Sequence, residues 1–317
     1  ALPICGRSPN VSRLRRESFR FRFACERLPR ALRADRLAVS FIFGSGLAKS
    51  VGSAVMQFGQ VSEYWMPFTV GLVFSLPLLL FVYLLEQIPD PDTEDVHYRM
   101  KRQPLNQEQR LALVKSYFPG LTILIILYIL VTILREVRDS FMADMWRESG
   151  EVLQVTSFAQ TETLISLCCL VIIALMVFLK NNFKAFLFSQ GTMFVGFVLA
   201  AACTWLFQAH QLSVFQWMTG VGLGLYMVYI PYNSNLFDRF ISAFRITGNV
   251  GFLIYLADSF GYLGSVAVIL SKTLFSIEWN WLRFYTNLVY WTSGLGIAGL
   301  LFSIFYFQRK FSLQHRP

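Results

Sequence analysis

Asp258 and Lys49 each stand as a lone charge inside a long apolar run, and Arg135, Arg138 and Asp139 crowd together at the end of another. An ionisable group at the centre of a membrane helix costs roughly 2.5–3.5 kcal/mol on insertion scales, so each is a candidate for function. Asp258 shares a helical stripe with Gly251, Tyr255, Tyr262 and Ser265, a pattern that can line a polar path along which a carboxylate takes up and releases a proton. The plainer reading is a hydrogen bond from Asp258 to a neighbouring helix that only holds it in place. Lys49 lies between Ser45 and Ser53 at helical spacing, beside a small-residue face of Gly44, Ala48 and Gly52 that permits close packing. Its ammonium can pair with Asp258 or another carboxylate, or meet an anion.

In Arg135-Glu-Val-Arg-Asp139, the side chains of Thr132, Arg135 and Asp139 share one face. Arg135 and Arg138 suit a carboxylate or phosphate, because a guanidinium fork fits those groups bidentately. Charges at a helix end are also commonly just solvated or paired with each other. Tyr226, Tyr229 and Asn233 lie on one face around Pro231, which bends a helix and frees a carbonyl; such breaks occur at binding sites and also where helices merely curve. Glu162 follows Ser157-Phe-Ala-Gln160, which has the form of a capping box, so it is expected in the first turns of its helix as a complement to the positive helix end.

The elements that must position these groups are set by composition. Of 317 residues, 55% are hydrophobic and only 15% charged, and residues 185–237 contain no Asp, Glu, Lys or Arg at all. Runs this long and apolar exclude a soluble enzyme and read as membrane helices. About eight spans are predicted, at 37–58, 64–85, 117–134, 157–179, 185–207, 212–236, 241–270 and 284–307. The predicted fold class is therefore all-α, a multi-pass transmembrane helix bundle. Of the 28 Lys and Arg, 22 fall on the side that carries the N-terminal segment and five on the other, which predicts cytoplasmic termini.

The chain divides into an Arg-rich segment (1–36), two helices (37–85), a polar cytoplasmic linker (86–116), a six-helix unit (117–310) and a tail (311–317). Residues 1–36 hold 10 Arg and read as a transit-type leader, a basic cytoplasmic segment or non-native, disordered sequence. With that segment set aside the body is nearly neutral, so no nucleic-acid partner is expected. The five Cys form no CxxC, and His97, His210 and His315 are dispersed, so neither a metal, a cofactor nor an enzyme constellation is expected. Gly294-Leu-Gly-Ile-Ala-Gly299 matches a nucleotide-loop pattern, but its glycines lie within an apolar span, where helix packing explains them.

Six helices after a cytoplasmic linker, with part of a bundle before it, resemble the major facilitator superfamily. Tyr226-Met-Val-Tyr-Ile-Pro-Tyr-Asn233, Leu236-Phe-Asp-Arg239, Gly248-Asn-Val-Gly-Phe252 and Ala257-Asp-Ser-Phe-Gly-Tyr-Leu-Gly264 look like a bacterial branch of it known as a domain of unknown function. The resemblance implies a partial first half, lacking its first four helices, plus a complete second half. It further implies a secondary transporter moving a small polar or anionic solute by alternating access in a bacterial inner membrane, with proton coupling as one form of that reading. The charged loop usual in that superfamily is reduced at Leu179-Lys-Asn-Asn-Phe-Lys184 to its two Lys. Half a cavity cannot transport alone, so the chain is expected to be a fragment, to need a partner subunit, or to be a non-transporting membrane scaffold or sensor. A membrane-embedded enzyme is the third reading.

Overall fold

A computed structural model describes residues 30–87, 106–151, 156–177, 179, 181–246, 250–275 and 280–314. The described residues form ten helices and no strand: α1 (Arg30–Gln57), α2 (Met66–Glu86), α3 (Gln107–Ser116), α4 (Phe118–Glu148), α5 (Ser157–Val177), α6 (Asn182–Gln208), α7 (Val214–Ser234), α8 (Leu236–Ala243), α9 (Val250–Phe275) and α10 (Trp281–Gln314). Five stretches, in α2, α4, α6, α9 and α10, are long and apolar enough to cross a membrane, and α5 carries a shorter apolar stretch. The fold is all-helical and membrane-like.

Several boundaries depart from the sequence expectation. Helix α1 begins at Arg30, inside the Arg-rich segment, whose residues 1–29 lie outside the described residues. The linker contains α3, and α10 continues through the expected tail to Gln314. The expected span 241–270 is broken, because α8 ends at Ala243 and α9 starts at Val250. Most consequential is α4, which runs nearly four turns past residue 134 and so carries Arg135, Arg138 and Asp139 within the helix rather than at its end.

Local chemistry sets the helix starts. Pro119 opens α4, where its missing N–H is no loss. The Asn181 side chain accepts from the Lys184 N–H at 3.0 Å, and Ser213 and Gln216 cap α7 reciprocally. Glu148 accepts from the Trp281 and Leu282 N–H groups at 3.0 and 2.8 Å, and Glu151 from Val214 N–H at 3.1 Å. Carboxylates at the end of α4 thus complete the positive ends of α10 and α7.

Helix α4 runs through the centre, packed against α10, α9 and α7, while α6 joins α7 to α10 and α1 lies along α5. An aromatic layer of Tyr117, Phe186, Phe240, Phe244 and Phe307 fills one end of the core. At the other end the Trp217 and Phe207 rings stack at 4.3 Å. By contrast, α2 touches α1 and buries none of its apolar stretch, the pattern of a helix facing lipid or a further protein surface.

Candidate functional site

One face of α4 organises the polar interior. Tyr128, Thr132, Arg135 and Asp139 fall at spacings of four, three and four residues, the helical repeat that stacks side chains on one stripe. Beside that stripe Arg138 is fully buried. Its Nη1 donates to Glu162 Oε1 at 2.7 Å and reaches Asp139 Oδ1 at 3.5 Å, and Nη2 reaches the Met218 carbonyl at 3.5 Å. Glu162 is itself 1% exposed, so this is a desolvated ion pair inside the helix bundle. Lys49 Nζ donates to Asp139 Oδ1 at 2.9 Å and ties α1 into the same network.

Close helix contacts make room for the pair. Gly222 on α7 lies against Arg138, where an added Cβ would stand 2.7 Å from Nη2. Gly46 on α1 faces the Glu162 side chain, and the Ala159 N–H donates to Ser50 Oγ at 2.9 Å. The close-packing glycine toward α5 is thus Gly46, whereas Gly44 faces open space and Gly52 meets Met66 of α2.

Arg135 has a different environment. It is 6% exposed, its guanidinium lies over the Tyr229 ring at 4.7 Å from the centroid, and its ion pair is with neighbouring Glu136 at 3.5 Å. Its Nε, like that of Arg138, is buried without a hydrogen-bond partner, as is the Tyr226 hydroxyl. Tyr229 stacks on Tyr128 at 5.7 Å, and the Tyr128 hydroxyl donates to the Asp258 carboxylate. Asn233 Nδ2 donates to the Tyr128 oxygen at 3.4 Å and to the Tyr229 carbonyl at 3.3 Å. Tyr229, Asn233 and Asp258 are half-buried, so this second cluster opens at the surface where α4, α7 and α9 meet.

The structure brings most of the sequence candidates together, in two groups. Lys49, Arg138 and Asp139 join Glu162; Arg135, Tyr226, Tyr229, Asn233 and Asp258 join Tyr128. Lys49 pairs with Asp139 rather than Asp258, because α1 lies on α5 and not on α9. The stripe through Asp258 does not stay together. Tyr255 is 74% exposed and Tyr262 51%, since α9 turns Leu253 and Ala257 inward and leaves Asp258 at the edge of the buried face. Neither tyrosine is buried with the cluster as the expected stripe would require.

Sequence reasoning missed two members. Glu162 does lie in the first turns of its helix, but it is also the buried partner of Arg138; an acid inside an apolar run was the available signal. Tyr128 was overlooked although it lies one turn before Thr132 on the stripe already drawn.

Chemically, the first cluster is charge-matched and sealed at its Arg138–Glu162 pair, with Lys49 and Asp139 partly exposed, whereas the second offers a guanidinium, phenol hydroxyls, an amide and a carboxylate at a partly open face. Among the described residues no group of three or more His, Cys, Asp or Glu is placed to hold a metal. His210 sits in the turn after α6, and His97 and His315 lie outside the described residues. No curated protein and no solved structure matches the chain. A family model described as a family of unknown function (DUF5690) matches residues 26–310. That match spans most of the 317 residues, and the chain belongs to this family.

Proposed function

We propose that the protein is a secondary transporter of a small polar or anionic solute, in which α4, α7 and α9 form one wall of the path. The observation that carries this reading is Arg135: a guanidinium buried to 6% exposure, backed by an aromatic ring, paired only with the adjacent Glu136 and set beside a half-open polar face. A purely structural arginine at membrane depth would be held as Arg138 is, by a buried carboxylate. Asp258, bonded by the Tyr128 hydroxyl within this cluster, is the group suited to couple movement to protons. The reading includes a major facilitator-like arrangement, with the opposite wall supplied by further helices or a partner subunit. It places the protein in a bacterial inner membrane with both termini cytoplasmic, the side favoured by the Lys and Arg distribution. It assigns no enzymatic step and no cofactor.

The test is exchange in proteoliposomes containing the protein purified from its own membranes. Vesicles are loaded with acetate, lactate, succinate or inorganic phosphate, and entry of the labelled counterpart is followed. One anion should exchange faster than in protein-free vesicles and lose that advantage in Arg135→Gln. Exchange of none of them, or exchange indifferent to Arg135→Gln, would overturn the anion reading.

The Lys49–Asp139–Arg138–Glu162 network, which ties α1, α4 and α5 together, favours a second reading: a membrane scaffold or sensor that keeps the fold without transport. It predicts that paired apolar replacements within the network are tolerated while Arg135→Gln has no effect on function.

A further inference from the structure

Between α3, the first half of α4 and the first part of α9 lies a groove of about 810 Å³, apart from both charge clusters. Its floor and walls are Phe118, Ile126 and Ile129 of α4 and Phe252, Leu256 and Phe260 of α9. These positions recur at helical spacing on each helix, so the groove follows the two helices lengthwise. Its origin is a change of side-chain size along α9. Near Gly261 and Gly264, α9 sits tightly on α4, where an added Cβ would stand 3.0 Å from Thr132 Oγ1 and from Ile133. Before that point the large side chains hold the helices apart.

Charge is confined to one end, and Thr122 is the one polar residue that lines the groove beyond it. Gln107, Glu108 and Arg110 of α3 form the mouth, and the Arg110 guanidinium lies 5.4 Å from the centroid of the Phe252 ring. Lys115 of the same helix and Lys310, which donates to the Ser116 carbonyl at 2.9 Å, add positive charge nearby. From Phe118 to Ile129 the groove runs about 16 Å at helical rise. That is half of a ~30 Å hydrocarbon core, the depth of one leaflet. A transmembrane helix seated on α4 and α9 would need the full thickness; an acyl chain needs only this half.

We propose that the groove is a binding site for an anionic phospholipid, its chain against Ile126 and Phe260 and its phosphate at Arg110. The site lies on the face rich in Lys and Arg, and anionic lipids are drawn to such juxtamembrane cations. It stands independently of the transport reading.

Full-length protein in nanodiscs of equal phosphatidylglycerol and phosphatidylcholine is extracted into mild detergent, and retained lipid is counted by native mass spectrometry. Phosphatidylglycerol should be retained preferentially, with the preference falling roughly fivefold in Arg110→Gln and persisting in Arg110→Lys. Ile126→Trp, which fills the groove without touching the charge, should reduce retention of both lipids. Equal retention of the two lipids by the unaltered protein, or an unchanged preference in Arg110→Gln, overturns the proposal. So does an Ile126→Cys crosslink that captures a protein helix instead of lipid.

Discussion

Arg135 and Arg138 stand one helical turn apart on α4, and their surroundings could hardly differ more. Arg138 meets Glu162 at 2.7 Å, reaches Asp139 and the Met218 carbonyl, and is sealed from solvent. Arg135 rests on an aromatic ring and has only the adjacent, partly exposed Glu136 as an ion-pair partner at 3.5 Å, with no carboxylate from another helix; Nε is unpartnered in both. Both are buried guanidinium groups on one helix, so residue type does not separate them. The neighbouring helices do: α5 supplies a carboxylate to one, and α7 supplies phenol rings to the other. A buried cation whose charge is matched by protein holds helices together, and one whose donors are unspent can bind something else.

The largest effect should come from breaking the sealed pair. Glu162→Gln leaves Arg138 only its 3.5 Å contact with the partly exposed Asp139 and is expected to cost about 3–5 kcal/mol, read as a fall in unfolding midpoint in detergent; the double change Arg138→Met with Glu162→Leu should recover most of it. If the single change is as well tolerated as the double, Arg138 is not held by Glu162. Next in size, Arg135→Gln should lower anion exchange roughly tenfold to a hundredfold, the loss of one charge-assisted hydrogen bond, with a smaller effect on unfolding than Glu162→Gln. Asp258→Asn should leave exchange between equal solute pools intact while abolishing uptake driven by a proton gradient; unchanged gradient-driven uptake would remove its coupling role. Lys49→Gln should do least, about 1 kcal/mol or below, because the pair is about a quarter exposed and Asp139 keeps Arg138.

The membrane-helix architecture was legible because apolar length is a local property that each span carries in its own residues. The groups worth watching were legible too, since lone charges and a proline break stand out against apolar sequence. Their partners were not. Lys49 could have met Asp258 or Asp139, and the choice depends on α1 lying along α5, a contact between segments about 110 residues apart in sequence. Glu162 was misjudged because a Ser157-x-x-Gln160 pattern fits a helix start whether or not the next turn is buried. Tyr255 and Tyr262 were overvalued because spacing fixes a shared face of α9 without saying which way that face turns.

The central claim is that solute meets the Arg135 cluster and not the Arg138 cluster. Cysteine accessibility tests it without knowing the solute. In a background lacking the five native cysteines, single cysteines at Tyr229, Asn233 and Tyr285 are challenged in native membranes with a membrane-impermeant, negatively charged methanethiosulfonate. Rapid modification of Tyr229→Cys and Asn233→Cys is expected, and none of Tyr285→Cys, which is fully buried in the core against Trp217. Modification of Tyr285→Cys as fast as the other two, or no modification at Tyr229 and Asn233, would contradict the claim.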